Sequence, residues 1–423
     1  MSDWASRQLH FIGIGGAGMS GLALVCAELG ASVTGSDRSD SSYMERLRAA
    51  GLDPLVGHDA ANLPEGAEVV VSTAIGEDNP ELALARERGV EPIHRGALLA
   101  ELCAEKRLIA VAGTHGKTTT TAMLVWALRS LGADPAFFVG GEVPGLGEDG
   151  GAANADWGEG EWVIAEADES DGSFLDLKPE IAVVTNIEMD HHSRWSSVAE
   201  LRAAFEEFTA GARVVVRPED TDLEIELAVP GHHNLLNARG AVHAAVAAGF
   251  EPAAIAAALA DFPGVKRRLE LKGARGGARI YDDYAHHPTE VRAALSALRE
   301  QQPGRLIAVF QPHLYSRTKA FGEEFGAALS LADEVVVLDV YPAREQPVGE
   351  LAGVSGLQVA QAAAERMGGG RVRWVADATG AERALADLLD RNQAVGIEGQ
   401  VLVTIGAGDV FKLGEALIGG EEK

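Results

Sequence analysis

The chain reads as an α/β protein of three domains built on mainly parallel sheets, and three observations predict this. Short β-rich runs alternate with longer helical stretches almost throughout, the signature of α/β layers. The 423 residues exceed what one core holds, because single cores rarely grow beyond ~250 residues. The alternation also restarts twice, dividing the chain into blocks at 1–104, 105–264 and 265–423, with the turn dipeptide Pro263-Gly264 at the second break.

In the first block the apolar run 9–14 leads straight into Gly13-Ile14-Gly15-Gly16-Ala17-Gly18. This G-x-G-x-x-G pattern marks a strand-to-helix turn, and Asp37 ends the next strand about 20 residues on, where a Rossmann-like domain holds a ribose. Small glycines let the backbone approach a diphosphate, and the helix N-terminus adds N–H donors and a positive dipole. The pattern fits NAD, another nucleotide diphosphate, or only a tight turn. It specifies nothing about nicotinamide.

The second block supplies another phosphate loop. The strand 108–112 ends in Gly113-Thr114-His115-Gly116-Lys117-Thr118, and a helix over 119–131 follows. That is P-loop context: backbone amides wrap phosphates, Lys117 reaches β/γ oxygens, and the Thr118 hydroxyl is placed for Mg²⁺. Position 111 is Val, so the loop is tighter than the usual Walker spacing. Two further strands, 162–167 and 181–185, end in Glu166-Ala167-Asp168-Glu169-Ser170-Asp171 and Asn186-Ile187-Glu188-Met189-Asp190-His191. Ligands collect at the C-terminal ends of parallel strands, so both acidic clusters should face the phosphates and serve Mg²⁺. The glycine- and acid-rich stretch 140–160 reads as a mobile surface loop. The third block restarts at the strand 279–284 and alternates to the C-terminus as a second Rossmann-like α/β domain.

Composition narrows the function. The net charge is −27, which excludes a polyanionic partner such as nucleic acid. Cys26 and Cys103 each sit in an apolar helical pattern and are expected as buried thiols in a reducing compartment. No apolar run approaches the ~20 residues that span a bilayer, and 1–7 lacks a signal-peptide core. A cytoplasmic protein without membrane insertion is expected.

The motifs together resemble the Mur ligase family over essentially the whole chain. GTHGKTTTT at 113–121, EADESDGSFL at 166–175, TNIEMDH at 185–191 and PGHHNLLNA at 230–238 resemble its central ATPase domain. GVKRRLE at 264–270, DDYAHHPTEV at 282–291, FQPHLYSRT at 310–318 and GAGDV at 406–410 resemble its C-terminal domain. Within the family, FIGIGGAGMSG at 11–21, GSD at 35–37 and the HHPTE segment point to the member that adds L-alanine.

The resemblance implies a chemistry and a division of labour. ATP phosphorylates the carboxylate of UDP-N-acetylmuramate, L-alanine attacks the acyl phosphate, and phosphate leaves as the amide forms. The first block then binds the UDP sugar through Gly15, Gly16, Gly18, Met19, Ser36, Asp37, His58, Ser72 and Arg95, with Asn79 a weaker candidate. Gly113 to Thr119 (Gly113, Thr114, His115, Gly116, Lys117, Thr118, Thr119), together with Asn234, Asn237 and Arg268, bind ATP. Thr118, Glu166 and His191 hold Mg²⁺, with Mn²⁺ as an alternative. Lys117, Glu166, His191, Asp283, His286 and Arg317 carry the reaction, Asp283 facing the alanine ammonium and His286 orienting or deprotonating it. His287 is expected either there or as a helix cap. A monomer or weak dimer is expected.

Three departures from the family pattern stand out. Leu314 replaces an arginine in FQPHLYSRT. The segment between His191 and Pro230 is short, with two compact runs at 212–217 and 223–229. No lysine occurs between Lys178 and Lys266, so the carbamylated lysine of related ligases has no candidate, and Glu206 or Glu207 is the expected substitute.

Overall fold

The computed structural model describes residues 3–147, 150–190, 194–220, 223–369 and 371–419. In chain order the first sheet and its helices are β1 (Gln8–Ile12), α1 (Ala17–Glu28), β2 (Ser32–Asp37), α2 (Ser42–Ala49), β3 (Leu55–Val56), β4 (Glu68–Val71), α3 (Pro80–Glu87), β5 (Ile93–His94) and α4 (Arg95–Cys103). Its strand order is β3-β2-β1-β4-β5, all parallel. The order reverses between β1 and β4, and at such a switch point a crevice opens at the strands' C-terminal ends. Those ends carry Gly13, Asp37, Ser72 and Arg95.

The second group is β6 (Arg107–Ala112), α5 (Lys117–Ser130), β7 (Ala136–Pro144), β8 (Ala152–Asp156), β9 (Trp162–Glu166), β10 (Ile181–Val184), α6 (Val198–Thr209), β11 (Val214–Val216), α7 (His232–Ala247) and α8 (Pro252–Leu259). The order β11-β10-β6-β9-β7-β8 is parallel except for the β7–β8 pair. One expectation changes here. The stretch 140–160 is largely the β7–β8 hairpin, because Val143, Ala153 and Ala155 bury their side chains. Of the runs 212–217 and 223–229, only the first forms a strand.

These first two sheets share one core. Val25 and Cys26 of α1, Phe138 of β7, Ala155 of β8 and Phe174 belong to a single buried cluster. Accordingly Met1–Ala228 and Asn234–Pro263 form one compact unit, and Val229–His233 with Gly264–Lys423 form another.

The second unit contains β12 (Glu270–Arg275), β13 (Ala278–Asp283), α9 (Pro288–Glu300), β14 (Arg305–Phe310), α10 (Tyr315–Leu329), β15 (Glu334–Val337), α11 (Gly356–Met367), β16 (Val372–Trp374), α12 (Ala378–Ala394), β17 (Gln400–Ile405) and α13 (Phe411–Gly419). Its sheet runs β12-β13-β17-β14-β15-β16, parallel except at β12–β13. One face packs on α9, α10 and α11 around Leu295, Phe325 and Val359, and the other on α12 and α13 around Leu385 and Leu413. Helices on both faces explain the continuous apolar strands such as Val401–Val403. Among the described residues, no helix is long and apolar enough to cross a membrane.

Candidate functional site

The glycine loop after β1 is held from below. The N–H groups of Gly13 and Ile14 donate to the Ser36 carbonyl, and Gly15 N–H donates to Asp37 Oδ2 at 2.9 Å. Gly13 has φ +84°, a left-handed conformation that glycine adopts without penalty. Gly16 caps α1 with no side chain over its amides, so the helix end is open. Of the candidates here, Met19 is a core residue at 3% exposure, which leaves its backbone rather than its side chain for a ligand. Ser36 is fully buried beneath the loop, and its hydroxyl donates to Glu81 rather than facing outward. His58 touches Ser36 through Nδ1 at 2.9 Å, and the Ser72 hydroxyl accepts from Ala74 N–H. Asn79 is a helix cap: its side chain accepts from the N–H of Glu81 and Leu82.

Arg95 links this loop to the next one. Its Nη1 would lie 3.3 Å from a Cβ on Gly18, while Nη2 donates to Asp168 at 2.8 Å and Asp171 at 3.1 Å. Burial alone would raise the Asp168 carboxyl, but Lys117 and Arg95 hold it well below the usual carboxylate range.

In the P-loop, the Lys117 ammonium donates to Glu169 at 2.8 Å and to the Gly113 carbonyl at 2.6 Å. Burial opposes its charge, yet Glu169, Asp168 and Glu166 around it raise its pKa. The loop is clamped by the end of β10. Thr185 Oγ1 and Asn186 Nδ2 donate to the His115 carbonyl, Asn186 Oδ1 accepts from His115 N–H, and the Glu188 carboxylate meets His115 Nε2 at 3.1 Å. A Cβ at Gly113 would collide with Thr185 and Asn186, and one at Gly116 with Asn237. Asn237 in turn bonds Thr120 and Asn234, both asparagines being buried on α7. Thr119 is also nearly buried. Both acidic strand ends therefore do face the loop.

The Thr118 hydroxyl and Glu166 Oε1 are 3.2 Å apart, and Glu166 Oε2 accepts from Gly140 N–H at 2.9 Å. A Cβ at Gly140 would lie 2.6 Å from that carboxylate, so the glycine makes room for it. A hydroxyl beside a carboxylate is a hard oxygen donor pair that fits Mg²⁺. His191 lies outside the described residues. Glu206 and Glu207 project from the exposed face of α6, opposite Phe205 and Phe208, so the acidic substitute expected of them is not built into the loop's surroundings.

In the second unit, Asp283 ends β13 with both oxygens engaged: Leu269 N–H and Ala285 N–H each donate at 2.8 Å. Burial pushes its carboxyl up to about 6, against the pull of Arg268. His286 bonds the Tyr284 carbonyl, and its ring meets those of Tyr284 and His313 edge-on. His287 is the helix cap of α9, completing a capping box with Glu290. Arg268 lies over the Tyr284 ring at 5.2 Å. Its neighbour Arg267 staples GVKRRLE to GAGDV, pairing with Asp282 and donating to the Gly406 carbonyl. Arg317 is buried with Nη1 3.4 Å from His313 Nδ1, whereas Lys319 is exposed and reaches Glu350. Leu314 caps α10 at φ +70°, a strained conformation for a residue with a Cβ.

Sequence reasoning missed three pairings: Asp168 and Asp171 with Arg95, Glu169 with Lys117, and Glu81 beneath Ser36. The dense EADESD run signalled the first two. Glu81 carried no signal beyond an acid in the first turn of a helix.

Comparisons with known proteins agree along the chain. Residues 8–107 match the model described as Mur ligase family, catalytic domain, 111–220 the Mur ligase middle domain, and 267–408 the Mur ligase glutamate ligase domain. A UDP-N-acetylmuramate–L-alanine ligase of Mycolicibacterium gilvum is 44% identical over 97% of this chain and 96% of its own. One of Kineococcus radiotolerans is 44% identical over 97% and 95%. The alignment with the Mycolicibacterium protein spans 474 positions against 423 residues here, so at least 51 positions of that relative lack a counterpart. Among solved structures, the UDP-N-acetylmuramate–alanine ligase MurC of Thermotoga maritima matches with a TM-score of 0.83 at 28% identity, covering 98% of this chain and 99% of that one. With relatives this similar over nearly their whole length, the chain belongs to the Mur ligase family.

Proposed function

We propose that this protein joins L-alanine to the carboxylate of UDP-N-acetylmuramate at the expense of ATP, a step in building peptidoglycan precursors. The observation that carries the reading is the run of charges between two phosphate-type loops. Arg95 lies beside the glycine loop and pairs with Asp168, which lies in the field of the P-loop residue Lys117. Such a run suits an enzyme that brings a nucleotide sugar and ATP side by side.

Residues 1–104 take the UDP sugar, 105–264 take ATP, and 265–423 take the amino acid. A carboxylate is a poor electrophile because oxide is a bad leaving group, and phosphorylation supplies a better one. Phosphoryl transfer needs positioning and charge neutralisation more than covalent help. Lys117 neutralises the transferring phosphate, and the P-loop amides fix its oxygens. Thr118 and Glu166 would hold Mg²⁺ or Mn²⁺, which supplies further neutralisation when bound. Asp283 and His286 receive the alanine amine, and Arg317 meets phosphate or the alanine carboxylate.

The deciding assay is ADP release from purified protein with UDP-N-acetylmuramate, with and without each amino acid and with a tripeptide. Alanine-dependent release is expected. Release that needs the tripeptide, or none with any acceptor, overturns the assignment.

A further inference from the structure

A fully buried carboxylate lies under the first glycine loop, against Ser36 and His58, and has had no role so far. Glu81, in the first turn of α3, is 0% exposed. Four donors from three segments converge on it. They are His10 Nε2 at 3.1 Å, Ser36 Oγ at 2.6 and 2.7 Å, Asp59 N–H at 3.1 Å and Asn62 Nδ2 at 2.9 Å. Burial by itself would favour the neutral acid, but the bonds from His10, Ser36 and Asn62 win and hold the pKa down at about 2. Glu81 is therefore an anion, and an ionised carboxylate only accepts.

Counting protons through the network then decides a tautomer. Ser36 has one hydroxyl proton, and Glu81 takes it. His58 Nδ1 lies 2.9 Å from the same oxygen, so it cannot receive that proton and must donate its own. In its uncharged form the His58 ring is thus protonated at Nδ1 and carries its lone pair on Nε2. The count closes elsewhere too: His10 gives its Nε2 proton to Glu81, and Thr34 Oγ1, 2.9 Å from His10 Nδ1, supplies the matching donor. Nδ1 of His58 is spent on the buried side, while its side chain keeps 18% of its surface open.

We infer that Glu81 is a positioning residue which, through Ser36, fixes His58 as a hydrogen-bond acceptor at Nε2 and so selects a uridine nucleotide by a donor that the uridine presents. This rests on the reading that the first block takes a UDP sugar. Uridine offers such a donor at the base N3–H, whereas a cytosine base presents an acceptor at N3 and would be refused there.

The test uses the full-length protein labelled with ¹⁵N, and reads the two imidazole nitrogens of His58 by NMR at neutral pH. Wild type should show a protonated Nδ1 and a bare Nε2, and both Ser36→Ala and Glu81→Gln should shift the ring toward the Nε2–H form. Calorimetry with UDP, N3-methyl-UDP and 2′,3′-dideoxy-UDP follows. Loss of about tenfold in wild-type affinity on N3-methylation places the bond at the base; the same loss for the dideoxy compound alone places it at the ribose, which every ribonucleotide shares, and overturns the selection of uridine. Ser36→Ala should weaken UDP by a similar factor and no longer discriminate, with ATP-analogue affinity unchanged. An Nε2–H ring in wild type, an unshifted tautomer in both variants, or equal affinity of wild type for all three nucleotides overturns the inference. Should Glu81→Gln fail to fold, the wild-type spectrum and Ser36→Ala still decide. Wild type that binds no UDP removes the uridine reading and this inference with it, whereas UDP binding with the wrong tautomer overturns this inference alone.

Discussion

Lys117 keeps its charge in a place where burial opposes it, because Glu169, Asp168 and Glu166 surround it. Replacing it by alanine removes the P-loop cation and leaves that acidic group to repel a nucleotide triphosphate. Lys117→Ala should lower turnover by about two to three orders of magnitude, as when one preorganised charge partner of a transition state is lost. UDP-N-acetylmuramate affinity, measured by calorimetry on the folded variant, should stay within about twofold, since Gly15, Gly16 and Asp37 do not depend on Lys117. A large loss there would break the division between the two loops. Lys117 itself was legible, because a P-loop lysine occupies a fixed place in a short motif. Its partner Glu169 lies 52 residues away, and only folding brings the two together.

At the scale of elements, α10 shows how helix geometry sorts neighbouring cations. Arg317 and Lys319 are two positions apart and so point in different directions. The helix turns Arg317 inward beside His313 and leaves Lys319 outside on Glu350. On the role proposed for Arg317 at the phosphate, Arg317→Lys should lower kcat by about tenfold or more, because a planar fork able to grip two oxygens becomes a point charge. Lys319→Ala should stay near wild type. Equal effects of the two substitutions in steady-state kinetics would mean that the phosphate is met by another cation. The β7–β8 hairpin teaches the opposite lesson about legibility. Its glycines and acids read as a loop, yet the hairpin seats Gly140 under Glu166 and Asn154 against the first turn of α1, where Asn154 donates to the Ala17 carbonyl. The local composition is that of a loop; the neighbours on the sheet make it a strand pair.

For the whole molecule, the Glu81 network ties function to acid stability. Its folded pKa of about 2 lies below the ordinary glutamate value of 4.5. The unfolded chain therefore binds the extra proton first, and stability is present above pH 4.5 and lost as pH falls toward 2. A shift of this size corresponds to ~3 kcal/mol. Thermal melts between pH 5 and 2 should show a steeper loss for wild type than for Glu81→Gln, and parallel slopes would refute an ionised Glu81.

The amino-acid sequence by itself determined the α/β class, the two phosphate loops and the family. Each of these is written in contiguous residues, because a phosphate cradle is a strand end, a glycine turn and a helix start in immediate succession. Only the tertiary structure decided which way Ser36 faces, which carboxylates hold Arg95, and that α3 delivers Glu81 beneath the loop. Those choices join residues 45 to 76 positions apart. They are set by which strands pair and which faces bury, and no local pattern of residues encodes them.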